Sequence, residues 1–95
     1  MIVSFACKET QKIFNGELSA KFPADIQRRA YEKLWMVNSA ERLDDLRIPL
    51  SNHLEKLKGD RRDQHSIRIN GTYRVCFVWN ANSAMGVEIV NYHKG

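Results

Sequence analysis

Ninety-five residues, 43% hydrophobic and 27% charged with few Gly or Pro, describe one folded domain over 1–95 and exclude a multi-domain, disordered or collagen-like chain. No stretch approaches the roughly 20 apolar residues a bilayer span needs, and the N-terminal MIVSFACKETQ turns polar too soon for a signal-peptide core, so a cytoplasmic protein with no membrane partner is expected. The formal charge of +4 is unevenly placed: residues 1–46 balance seven basic against seven acidic side chains, while 47–95 hold eight basic and four acidic, which assigns the positive field to the C-terminal half.

In chain order, residues 2–5 (IVSF) read as a short strand, and residues 8–14 as a short helix stopped at Asn15-Gly16. Pro23 opens a longer helix with Asp25 in its first turn and an apolar stripe of Ile26, Ala30, Leu34 and Val37. Its opposite face, with Gln27, Arg28, Glu32 and Lys33, reads as solvated. Ser39 is placed to cap a third helix over residues 40–46, with Leu43 and Leu46 packed inward.

After Pro49 the pattern alternates. Residues 54–57 and 66–70 read as strands, and Asn70-Gly71 is a strong hairpin signal. Residues 73–79 place Tyr73, Val75, Phe77 and Trp79 on one face and Arg74, Cys76 and Val78 on the other. Residues 80–86 read as a polar loop and 87–92 as the last strand, with Val87 and Ile89 opposed to Glu88, Val90 and Tyr92. Hairpin-linked strands behind a group of helices predict an α+β domain: a mostly antiparallel sheet of four to five strands with two to three helices on one face.

The sheet face turned from the helices would then be an open surface. Arg68 and Arg74 fall there on neighbouring strands, where like charges repel unless an anion or a carboxylate such as Glu88 sits between them. Lys56, Lys58 and Arg61 join them in a five-cation cluster suited to phosphodiesters, since Arg offers a planar fork and Lys a compact charge. Tyr92 could stack on an unpaired base. Cleaving RNA without a metal requires deprotonation of the 2′-hydroxyl, protonation of the leaving oxygen and neutralisation of the phosphoryl charge. Glu55, Lys58, His93 and the arginines could supply these, although such a face equally fits a nucleic-acid or acidic-partner surface. Cys7, Cys76 and the histidines at 53, 65 and 93 have no zinc-type spacing, so no metal or cofactor is expected and each cysteine reads as a small hydrophobe with a free thiol.

The motifs Leu57-Lys58-Gly59-Asp60-Arg61, Ser66-Ile67-Arg68-Ile69-Asn70, Tyr73-Arg74 and the ending Val87-Glu88-Ile89-Val90-Asn91-Tyr92-His93 together resemble the HigB family of the RelE superfamily. MIVSF at the start and Leu43-Asp44-Asp45-Leu46-Arg47 before Pro49 also match, so the likeness covers essentially the whole chain. It implies a toxin that cleaves mRNA on the ribosome and is neutralised by a HigA-like helix-turn-helix antitoxin, which alone would touch operator DNA. On that likeness Lys58 and Arg74 are phosphate-binding and transition-state residues, and Tyr92 and His93 take base stacking and acid–base work. Arg68 ranks below Arg74 as a phosphate ligand. Arg61 either contacts ribosomal RNA or holds its turn through Asp60 or Asp63.

Two positions depart from the family pattern. Glu55 stands where some members carry histidine, and His53 lies two residues too early to replace it, so Glu55 is either a carboxylate base or a sheet residue paired to Lys58 or Arg74. Asn91 stands where many carry aspartate, and an amide can neither take a proton nor raise the basicity of His93. The departure at Asn91 leaves a second reading open, a weakly catalytic partner and corepressor of the antitoxin. A third, DNA gyrase as target, is opposed by the Tyr-His ending.

Overall fold

The computed structural model describes residues 1–92; His93 therefore lies outside the described residues. Helix α1 spans Lys8–Phe14 and ends at Asn15 and Gly16, the latter at φ +84, a left-handed conformation that glycine adopts without steric cost. Helix α2 spans Ala24–Ser39, and its Ile26, Ala30, Leu34 and Val37 are all buried. Its second face is solvated at Arg28 and Glu32, as expected, but not at Gln27 and Lys33. The loop after α1 folds over Gln27, whose amide joins Ser19 and Phe22, accepting from Ser19 N and donating to both carbonyls. Lys33 is buried as well, at 8% exposure, because residues 50–52 fold beside it and Asn52 Oδ1 accepts from its ammonium.

No third α-helix follows. Ser39 is the last residue of α2, and the chain continues into a 3₁₀ turn over Leu43–Arg47. The Asp45 carboxylate turns back to accept from the amides of Glu41 and Arg42 at 2.9 and 3.0 Å, which lowers its pKa and fastens this tighter turn in place of a Ser39 cap. Leu46 is buried and Leu43 packs on the core, as the sequence indicates.

The sheet is an antiparallel meander, β1 (Glu55–Lys56), β2 (His65–Arg68), β3 (Tyr73–Asn80) and β4 (Ser83–Asn91), in that spatial order. Ile67, Val75, Phe77, Val87 and Ile89 meet the apolar stripe of α2 and Ile13 of α1, so both helices pack on one face. Two turns differ from expectation. Asn70-Gly71 does not form a two-residue hairpin: the ladder stops at Arg68 opposite Arg74, and Asn70 Oδ1 accepts from the amides of Thr72 and Tyr73, building a wider turn. The two-residue loop is Ala81-Asn82, at φ +52 and +62, so residues 80–86 are mostly hairpin and strand instead of loop.

Residues 2–5 do not become a strand of the sheet. They run parallel to β4 through two isolated bridges, Ile2 to Ala84 and Phe5 to Val87. Between these, β4 carries one extra residue relative to β3 with Gly86 at φ +60, and the Gly86 amide donates to Ser4 Oγ, which interrupts a continuous ladder.

Candidate functional site

Register places the side chains of the second sheet face in two rows. Glu55, Ser66, Cys76 and Glu88 lie side by side across the four strands, and next to them Arg68, Arg74 and Val90. Arg68 and Arg74 are therefore direct cross-strand neighbours, as the sequence indicates, yet their environments differ. Arg68 is exposed, whereas Arg74 is 8% exposed and held on several sides. Its Nε donates to Ser66 Oγ at 2.7 Å, and Nη2 donates to the carbonyl of His53 and lies 3.4 Å from Glu55 Oε1. Its guanidinium carbon sits 5.3 Å from the Tyr92 ring centroid. Among the described residues Nη1 has no hydrogen-bond partner.

The face is also not bare. The turn after β1, with 3₁₀ residues Gly59–Arg61, brings Arg61 to Glu88 at 2.8 Å, and Ser66 and Cys76 are completely buried. Glu88, one candidate for the carboxylate beside the arginines, pairs with Arg61, and Glu55 is the carboxylate at Arg74, one of the two pairings open to it. Neither Asp60 nor Asp63 holds Arg61, whose other partner is Gln64 Oε1. The Glu88 hydrogen bond raises the Arg61 pKa, and burial pushes the Cys76 thiol up to about 11.

Three shallow concavities border this cluster. One of about 490 Å³ is lined by Glu55, Lys58, Arg61, Asn91 and Tyr92. A second, about 280 Å³, is lined by His53, Glu55, Arg68, Arg74 and Tyr92, so Glu55 and Tyr92 form the rim between the two. The third, about 420 Å³, continues past Arg68 and Gly71 to Arg29 and Lys33 of α2. Of the five cations grouped by sequence, Lys58 and Arg61 thus stand on one side of Tyr92 and Arg68 and Arg74 on the other. Lys56 lines the first concavity with Lys58 and Arg61, although its ammonium donates to the Arg62 carbonyl and it lies opposite His65 in the ladder.

Lys58 precedes the 3₁₀ turn in an extended conformation, and its ammonium has no hydrogen-bond partner among the described residues. Sequence reasoning missed Ser66 and the His53 carbonyl as the groups that fix Arg74, and Arg29 and Lys33 as cleft residues. The positive field is consequently not confined to the C-terminal half. The repeat of cations at positions i and i+4 beside the apolar stripe was the available signal for the latter pair.

A four-stranded antiparallel meander carrying two helices on one face and a cationic, aromatic-rimmed cleft on the other defines a small α+β protein of the RelE-like type. The chain belongs to the family of RelE-like toxins of type II toxin–antitoxin systems, HigB, whose model matches residues 3–93. It is 39% identical over 80 residues to Toxin HigB-1 of Vibrio cholerae serotype O1, covering 83% of this chain and 84% of that one. It is also 34% identical over 67 residues to an uncharacterized protein of Haemophilus influenzae, covering 70% of this chain and 66%, just under two thirds, of that one. Family membership makes this chain the toxin half of such a pair and implies an antitoxin partner. No helix among the described residues is long and apolar enough to cross a membrane.

Proposed function

We propose that this toxin is a ribosome-dependent, metal-independent endoribonuclease that cleaves mRNA in the cytoplasm by 2′-hydroxyl attack, leaving a cyclic phosphate and a 5′-hydroxyl, and that a HigA-like helix-turn-helix antitoxin neutralises it. The observation that carries this reading is the fixed guanidinium of Arg74 against Tyr92 and Glu55, where two cationic concavities meet. A guanidinium held before substrate arrives needs no reorganisation when the phosphorane forms. Arg74 and the unpartnered ammonium of Lys58 neutralise the developing charge, Glu55 and His93 move protons, and the half-exposed Tyr92 ring takes a base in stacking. Arg68 and Arg61 hold flanking backbone, and Lys56 contributes charge at the edge.

The cleanest test is Lys58→Ala, because no hydrogen bond of the described fold involves that amine. Induced without its antitoxin, the parent protein should arrest growth and create new 5′ ends on translated mRNA. Lys58→Ala should leave thermal stability unchanged and lower the single-turnover cleavage rate on programmed ribosomes by about 10² to 10³. Wild-type rates in that variant would remove Lys58 from the chemistry. Asn91, in place of a carboxylate, favours the second reading of a weakly catalytic antitoxin partner and corepressor, for which neither arrest nor new ends would appear.

A further inference from the structure

The third concavity joins Arg68 to two residues, Arg29 and Lys33, to which nothing above gives a role. Arg29 and Lys33 stand one turn apart on α2, and Arg68 faces them from the end of β2. None of the three forms an ion pair among the described residues. Glu32, on the same rim, is turned to Arg28 at 3.5 Å. Arg29 makes one long hydrogen bond, 3.4 Å, to the Ile69 carbonyl. Lys33 is the unusual member: its ammonium is buried against a neutral amide, Asn52, which is itself fully buried and fixed by donation to the Leu46 carbonyl. Burial, and then repulsion from Arg29, lower the Lys33 pKa. Glu32 offsets part of that repulsion from the rim, but no carboxylate pairs with the buried ammonium among the described residues, which leaves it open to an entering anion. The concavity shares Arg68, Asn70 and Gly71 with the cleft of Arg74, so a chain of phosphates leaving one passes directly into the other.

We propose that Arg29, Lys33 and Arg68 form a second phosphate seat that holds a phosphodiester flanking the one at Arg74. This rests on the reading of the Arg74 cleft as an RNA site and deepens it by naming where the strand runs: from Tyr92 across Arg68 onto the side of α2. Two seats with different walls explain why Arg68 stands exposed between them. It serves both concavities, whereas Arg74 belongs to one.

The test is anisotropy titration of a short single-stranded RNA, made uncleavable by 2′-O-methylation, over a range of salt. The proteins compared are the parent, Arg29→Gln, Arg29→Lys, Lys58→Ala and Lys8→Gln, the last removing an exposed cation on α1, outside the seat. Arg29→Gln should lower the slope of log affinity against log salt by about 0.7, the value for one phosphate contact on a single strand, and weaken binding about three- to tenfold at low salt. Arg29→Lys should restore most of the slope, and Lys8→Gln should match the parent. If Lys58→Ala weakens RNA binding while Arg29→Gln behaves as the parent, the second seat is wrong and the RNA reading stands. If Arg29→Gln instead weakens only the antitoxin complex, the concavity serves an acidic protein surface and the seat is again refuted. Failure of the parent protein to bind the RNA at all overturns both.

Discussion

Arg74 is fastened by the fold at the point where the proposed phosphate site lies. Because it holds Ser66, the His53 carbonyl and Glu55, replacing it by alanine removes both a charge and the bonds that floor the cleft, so growth arrest in Arg74→Ala must be read beside its folding stability. Arg74→Lys keeps charge but loses the planar fork, and separates the two effects. His65 carries a prediction of its own. Its Nδ1 is buried without a hydrogen-bond partner, and burial, followed by repulsion from Lys56 and Arg47, lowers its pKa below the ordinary 6.5. The unfolded chain therefore takes up the proton first as pH falls. Stability contributed by neutral His65 is complete above about 6.5 and is lost as pH drops through the folded-state value. Urea midpoints measured at about pH 7.5 and 5 should fall for the parent and fall less for His65→Phe; equal decreases would acquit His65.

At the level of elements, the hairpins show what a sequence discloses and what it hides. The strands β2 and β3, the second half of β4 and the stripe on α2 were legible because the apolar positions of the period are the buried ones, Ile26, Ala30, Leu34 and Val37 on α2 and Ile67, Val75, Phe77, Val87 and Ile89 in the sheet. The turns were not, because Asn70 spends its side chain on the amides of Thr72 and Tyr73, while Ala81 enters a left-handed conformation its side chain disfavours. That second choice is measurable. Ala81→Asn, which tolerates φ near +52, should raise folding stability by about 0.5–1 kcal/mol in urea denaturation. No gain would mean that strand pairing alone sets this turn. The cleft was half legible: Lys58, Arg74 and Tyr92 stand on the motifs and line it, whereas Arg29 and Lys33 show in the sequence only as cations four apart, and tertiary packing is what brings them to Arg68.

Taken whole, the molecule covers the outer edge of β4 with its own first residues. Val3 and Ala6 donate to the carbonyls of Ala84 and Val87, Ala84 and Val87 donate back to Met1 and Ser4, and Ile2 N donates to Asn38 Oδ1 on α2. An uncovered edge is a template for pairing with another copy. Val3→Pro deletes one donor and disturbs its neighbours. It should cost about 1–3 kcal/mol of stability and produce concentration-dependent self-association in size-exclusion chromatography with light scattering. A monomer of parental stability would show that these bonds contribute little to either property.

Lys33 is tied to the side chain of Asn52, and Arg74 to the carbonyl of His53, the very next residue. Two cations drawn from different layers of the molecule are thereby hung on adjoining links of one chain and kept at a constant gauge. A displacement of that one peptide would therefore be felt by both cations together.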